Sequence, residues 1–233
     1  MTSSSKQSKR NLTKNISNSS YDSEVFVENN KTFRVLILGA SSVGKTSVIK
    51  QFLRGQFSSK HQETLQEMYN GELDLGRSNL LLCIEDTGSS FIQDFPAMAE
   101  VSLNKSDGVV LVFSVDDPKS FEEVSKLRDF LFSKRPFLPC VIVGNKTDLE
   151  RMLPAREIEA TVCLDWECGY AECSAREGAG VRGVFRELAV QAKIIQKGEQ
   201  KSECTFRRRQ FILNRMLHKE SSRYLTHDLK KKS

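Results

Sequence analysis

The chain's 233 residues, 39% of them hydrophobic and 28% charged, suffice for one sizeable core. Charge is uneven: residues 32–192 hold 18 Lys/Arg against 23 Asp/Glu, a net of −5, whereas residues 193–233 hold 12 against 4, a net of +8. A mildly acidic core followed by a basic tail excludes a uniformly basic nucleic-acid binder, and nucleic acid is not an expected partner.

Residues 1–31 are rich in Ser, Asn, Thr and Lys, with few large apolar side chains before Val25, and are expected to form a disordered extension. They hold no apolar h-region for a signal peptide, and Thr2 stands where N-myristoylation needs Gly. No transmembrane segment is expected either, so the chain reads as cytoplasmic, and triplets such as Asn11-Leu12-Thr13 are not expected to be glycosylated. Cys83, Cys140, Cys163, Cys168, Cys173 and Cys204 lack CxxC spacing and read as reduced packing thiols rather than as a metal site.

Residues 32–198 read as one domain, with 199–233 as a basic tail. Apolar strand runs alternate with helix-patterned stretches, which favours a doubly wound α/β fold. The predicted strands are 33–38, 68–75, 80–85, 109–115, 140–143 and 170–173. The predicted helices are 45–54, 95–103, 119–132, 155–163 and 181–196. Gly76-Arg77-Ser78-Asn79 is short enough for a hairpin, which gives the sheet one antiparallel edge strand. Ligand sites should then lie at the carboxyl ends of the strands.

Between the first strand and the first helix lies Gly39-Ala40-Ser41-Ser42-Val43-Gly44-Lys45-Thr46, a complete GxxxxGK[ST] phosphate loop with the flanks that motif requires. Backbone N–H groups of such a loop wrap a β-phosphate, Lys45 neutralises β/γ oxygens, and the Thr46 hydroxyl ligates Mg²⁺. At the end of the fifth strand, Asn145-Lys146-Thr147-Asp148 selects the base. A carboxylate at Asp148 accepts from guanine N1–H and the 2-amino group together, whereas adenine presents an acceptor at N1. Asn145 ties the loop down and the Lys146 stem packs on the ring. Glu172-Cys173-Ser174-Ala175-Arg176, at the end of the next strand, offers a small-residue turn with a backbone N–H for the guanine oxygen; its weight comes from order and spacing.

These motifs, in this order, resemble the Ras-type small GTPases from about Thr32 to about Gln196. The resemblance implies a P-loop NTPase G domain: a six-stranded, mostly parallel sheet with one antiparallel edge strand and flanking helices. It implies GTP or GDP as ligand, Mg²⁺ held by Thr46, Thr64 and Asp86, Phe57 flanking the guanine, and Thr64 reaching the γ-phosphate. Asp86-Thr87-Gly88-Ser89, Phe95-Pro96-Ala97-Met98, Val112-Phe113-Ser114-Val115-Asp116 and Ser120-Phe121-Glu122-Glu123-Val124 are most similar to the branch of dexamethasone-induced Ras and Rhes. The implied partners are an effector docking over Leu65, Gln66, Glu67, Met68 and Tyr69, an exchange factor and an activating protein, with the chain itself a monomer.

The departures from the family pattern bear on catalysis. The glycine of the family's DxxG element, whose N–H senses the γ-phosphate, is Ser89 here, with Gly88 one residue early; serine keeps the N–H but has less backbone freedom. The glutamine that orients the attacking water is Ser90, too short for that role. Ser41 stands where the best-studied Ras proteins have glycine, and a side chain there crowds incoming catalytic groups. Lys45, Thr64, Ser89 and Ser90 are the candidate catalytic positions, and slow intrinsic hydrolysis is expected. A nucleotide-locked or nucleotide-indifferent scaffold is the alternative that Ser89 and Ser90 keep open.

Placed on a helix, Phe206, Ile212, Leu213, Met216 and Leu217 share one arc, while Arg207, Arg208, Arg215 and Lys219 project elsewhere; Arg209 spoils the arc and Phe211 lies outside it. Such a segment suits anionic lipid at the inner face of the plasma membrane, and a solvated tail or a protein or nucleic-acid target stays open. The chain ends Leu229-Lys230-Lys231-Lys232-Ser233, without the CaaX cysteine that many Ras relatives carry. Cys204 is a palmitoylation candidate beside its plainer reading as a tail thiol. Without a lipid, membrane association is expected to be reversible and to weaken with salt.

Overall fold

A computed structural model describes residues 32–59, 64–76 and 78–195. The expected strands form one sheet: β1 (Phe33–Gly39), β2 (Gln66–Asp74), β3 (Asn79–Thr87), β4 (Gly108–Ser114), β5 (Cys140–Asn145) and β6 (Gly169–Glu172). Their spatial order is β2-β3-β1-β4-β5-β6, and all pairs are parallel except β2 with β3. The hairpin expected at residues 76–79 joins that pair, closed by Leu75 N–H donating to Ser78 O at 3.0 Å.

The burial of the strands follows from their position. β4 and β5 are buried along their whole lengths, as central parallel strands covered on both faces must be. Alternation divides β1 between two cores. Val35 and Ile37 face α1 (Lys45–Arg54) and α6 (Val181–Gln191), where Val48, Ile49, Val184, Phe185 and Leu188 close over them. Leu36 and Leu38 face α3 (Pro96–Lys105) and α4 (Pro118–Lys134), with Leu103, Val124, Leu127 and Leu131 opposite. Each such side chain contributes about 1.5–3 kcal/mol by leaving water. A stacked pair, Phe52 and Phe185 with centroids 4.1 Å apart, fixes α1 against α6.

Helix boundaries follow local chemistry. α1 occupies residues 45–54 as expected, because Gly55 takes a left-handed conformation (φ 60°) and returns its N–H to Gln51 O. Asp117 caps α4 by accepting from Lys119 N–H, with Pro118 in the first turn. Three details depart from the sequence expectation. A short helix α2 (Phe91–Asp94) precedes α3 and buries Phe91. The helix expected over 155–163 is α5 (Ala155–Ala160) followed by a π-helical turn, Thr161–Asp165, closed by Trp166 N–H on Thr161 O. The helix expected to reach residue 196 stops at Gln191, because Lys193 turns left-handed (φ 58°) and the N–H groups of Lys193 and Ile194 bond back to Val190 and Ala189, the Schellman closure. Cys83, Cys140, Cys168 and Cys173 are not in disulfides, whereas Cys163 is disulfide-bonded, against the expectation that it stays a reduced packing thiol. No helix among the described residues is long and apolar enough to cross a membrane. The amphipathic tail and Cys204 lie outside the described residues.

Candidate functional site

A cleft of about 730 Å³ opens at the carboxyl ends of the strands. Ser41, Ser42, Gly44, Lys45 and Thr46 line it from the loop after β1. Phe57 and Thr64 come from the segment before β2, Ser89 from beyond β3, and Asn145, Lys146, Asp148, Ala175 and Arg176 from the ends of β5 and β6. Gly39, Val43, Asp86 and Ser174 stand behind this lining and are joined to it by the bonds described below.

The loop after β1 is held open by backbone conformations that favour glycine. Gly39 has φ 148°, and a Cβ there would lie 2.2 Å from Val112 O; Gly44 has φ 93°, and a Cβ there would lie 2.4 Å from Asn145 Nδ2. Ser42 adopts φ 59° without that advantage. Lys45 Nζ reaches into the loop and donates to Gly39 O and Ala40 O, both at 2.8 Å. Burial lowers its pKa to about 8, opposed by the nearby Asp86 carboxylate. A glycine-hinged loop that leads into the N-terminus of α1 and draws an ammonium into itself suits an anion such as a phosphate.

Beside the loop, three oxygen donors meet. Thr46 Oγ1 donates to Asp86 Oδ2 at 2.5 Å and lies 3.0 Å from Thr64 Oγ1. Asp86 is fully buried, and burial pushes its carboxyl up from the ordinary range against the Thr46 bond and Lys45. Its Oδ1 has no hydrogen-bond partner among the described residues. An orphaned carboxylate oxygen is costly in a protein interior, and with two hydroxyls it makes a hard oxygen donor set that fits Mg²⁺.

At the other end, Asn145 links three loops. Its Nδ2 donates to Val43 O at 2.8 Å, and its Oδ1 accepts from Ala175 N–H at 3.0 Å. The Asp148 side chain, 8% exposed, accepts from Ser174 Oγ at 2.6 Å and lies 3.9 Å from Arg176 Nη1. One carboxylate is thus oriented at the mouth of the cleft with lone pairs left for a ligand.

The stretch after β3 divides. Ser89 lines the cleft, whereas the Ser90 hydroxyl starts α2 and donates to the Asp94 carboxylate. Gly88 donates its N–H to Leu65 O at 3.0 Å, and a Cβ on it would lie 2.7 Å from Thr64 O. The glycine one residue early therefore marks the closest approach of the Thr64 backbone.

The Ras family profile matches residues 34–194. The chain belongs to the Ras family. It is 34% identical over 176 residues to the GTP-binding protein Rhes of Mus musculus, covering 70% of this chain and 65% of Rhes. It is 33% identical over 165 residues to the GTP-binding protein Di-Ras1 of Homo sapiens, covering 69% and 82%. To the Ras-like protein family member 10A of Mus musculus it is 36% identical over 171 residues, covering 67% and 84%. The chain thus spans about two thirds of the length of Rhes. The likeness read from its short motifs extends over the Rhes and Di-Ras branch of Ras-type GTPases.

Within this Ras-family frame the cleft has parts that the motifs did not announce. Lys50 and Glu67 also line it. Arg151, on the loop after Asp148, pairs with Glu172 at 2.6 Å, and Tyr170 donates to the same carboxylate at 2.5 Å. The Arg151–Glu172 pair spans 21 residues of sequence, so no local spacing could have signalled it.

Proposed function

We propose that the chain is a small GTPase signalling switch that binds GTP and GDP with Mg²⁺, hydrolyses GTP slowly and engages an effector in the GTP state. The observation that carries this reading is the convergence in one cleft of the phosphate loop, the Thr46, Thr64 and Asp86 oxygens, and the Asp148 carboxylate. Thr46, Thr64 and Asp86 would hold the cation, whose chemistry is to neutralise charge on the β- and γ-phosphates. Lys45 exchanges its two carbonyl partners for phosphate oxygens, Phe57 covers one face of the guanine, and Ala175 N–H, which Asn145 Oδ1 accepts in this structure, would turn from it to meet the guanine oxygen.

Catalysis in this class is nearly all positioning and charge stabilisation. With Ser90 turned onto Asp94 and Ser41 at the cleft wall, the position that carries glutamine in the family offers no long side chain to aim the water, and intrinsic turnover is slow. An activating protein that supplies an arginine contributes about 10³–10⁵ in rate in this class; Ser41 and Ser90 reduce what such a partner can deliver. Effector docking over residues 65–69 draws on exposed Leu65 and Met68 at the edge strand β2. The protein acts as a monomer in the cytoplasm, with the basic tail, residues 199–233, available for an anionic membrane surface.

The test is to purify the protein, identify its bound nucleotide, then load GTP and follow a single turnover. Retained GTP places control at exchange, localisation or abundance. GDP formed at an ordinary rate overturns the slow-hydrolysis reading. A second reading, a nucleotide-indifferent scaffold, is favoured by the engagement of Ser90 with Asp94; it requires equal partner affinity in the GDP state and with a non-hydrolysable GTP analogue.

A further inference from the structure

We propose that Cys140 and Cys168 are a dithiol modification site, closed reversibly to a disulfide by a small hydroperoxide, at the end of the sheet opposite the cleft. The parallel ladder pairs Val141 with Gly169 and Ile142 with Tyr170. One residue back along both chains, Cys140 stands opposite Cys168. Neighbouring strands are about 4.8 Å apart, inside the Cα separation of about 4.4–6.8 Å that a disulfide requires. Opposed residues point to the same face, and both cysteines belong to the same core under α4. The Cys168 thiol is near enough to act on the ionisation of Cys140, and Cys168 Sγ reaches Trp166 O at 3.4 Å.

Access is the second observation. Both cysteines, each only 4% exposed, line a surface cavity of about 400 Å³ with Arg128, Phe132 and Trp166. The Arg128 guanidinium lies 4.7 Å from the Phe132 ring centroid and 5.9 Å from that of Trp166, forming one wall. A small uncharged reagent fits this space; a protein oxidant does not. The neighbouring Cys168 thiol and burial hold the Cys140 thiol well above its usual range, with Arg128 opposing, so the pair rests as dithiol and reacts slowly.

The chemistry balances within the pair. One thiolate sulfur attacks a peroxide oxygen, the O–O bond breaks, and the departing hydroxide takes the thiol proton as water, leaving a sulfenic acid. The second sulfur attacks the sulfenic sulfur, the S–S bond forms, the S–O bond breaks, and a second water leaves. The cysteines lose two electrons and two protons to one hydrogen peroxide. Exchange with a dithiol reductant reverses the step.

The disulfide ties β6 to β5 at their amino ends, whereas Asn145 and Ser174 lie at or beyond the carboxyl ends, so nucleotide binding is expected to be unchanged. The test treats the full native chain with hydrogen peroxide, alkylates remaining thiols in denaturant, and maps peptides without reductant. The expected product is a Cys140–Cys168 linked peptide pair, about two mass units lighter than the two reduced peptides together, that dithiothreitol separates. Recovery of both cysteines alkylated, or of either joined to another cysteine instead, overturns the proposal. The mapping uses the unsubstituted chain, so it does not depend on any variant folding; where Cys168→Ser folds, no disulfide-linked peptide containing Cys140 should be recovered.

Discussion

Under the proposed function, Asp148 is the side chain on which base choice turns. It is nearly buried, with Ser174 on one oxygen and Arg176 near the other, so its carboxylate is aimed and cannot be replaced by a neighbour. Asp148→Asn exchanges a double acceptor for an amide that donates, which mismatches guanine and suits a 2-oxo purine. The expected outcome is loss of GTP binding by about 10²-fold or more with gain of xanthosine triphosphate, since sites built around buried hydrogen bonds reject mismatched partners strongly. Competition between the two nucleotides measures it, and an unchanged guanine preference refutes the role. Gly44 makes a different demand. Its φ of 93° and the 2.4 Å approach of a built Cβ to Asn145 Nδ2 mean that Gly44→Ala strains the loop by about 1–3 kcal/mol and pushes Asn145 off Val43 O. Nucleotide affinity should fall by about 10-fold or more, read by titration with a fluorescent GDP, while β1 and α1 remain formed by circular dichroism.

The two loops at the ends of β5 and β6, which the proposed function assigns to the base, are joined by more than Asn145. Arg151 carries the first loop onto Glu172, the last residue of β6, and Tyr170 shares that carboxylate. Arg151 and Glu172 are 28% and 29% exposed, so solvent screens the pair and its worth is at most about 1 kcal/mol. Arg151→Met keeps the stem and removes the tie; release of bound GDP should accelerate about 3- to 5-fold, in line with that energy, and an unaltered dissociation rate shows that the pair does not position the base. The contrast with the motifs explains what was legible beforehand. Strand runs, the helix at 45–54 and the hairpin at 76–79 could be read because each depends on local periodicity or turn chemistry. The loop from Gly39 to Thr46 was equally plain, because its spacing encodes its shape. The π-helical turn at 161–165, the stop at Gln191, the Ser90–Asp94 bond and the Arg151–Glu172 pair depend on packing or on contacts between segments, which no spacing rule encodes.

The polarity of the fold decides how the cleft and the tail can act together. α6 starts just after Gly180, where a Cβ would meet Glu172 O at the end of β6, and finishes at Gln191, whose side chain lies against Gly169 at the start of the same strand. The described chain therefore leaves at the amino ends of the strands, opposite the cleft. A tail anchored at a surface would leave the nucleotide, Thr64 and the exposed edge of β2 facing away from it. The sequence supplies the charge for such an anchor: residues 193–233 carry a net of +8, against −5 for residues 32–192, so an anionic surface attracts one part and repels the other. Each basic residue near such a surface contributes about 1 kcal/mol, and the attraction decays over a Debye length of about 10 Å at 0.1 M salt. The full chain should therefore sediment with vesicles containing phosphatidylserine and not with pure phosphatidylcholine, and binding should fall at least 10-fold between about 0.1 and 0.5 M salt. Replacing Arg207, Arg208 and Arg209 together by alanine removes three charges, about 3 kcal/mol at full exposure to the surface potential, and should weaken sedimentation by about 10²-fold without altering GDP affinity. Equal sedimentation with both vesicle types would remove the electrostatic anchor, and a loss of GDP affinity in the triple variant would show instead that the tail supports the core.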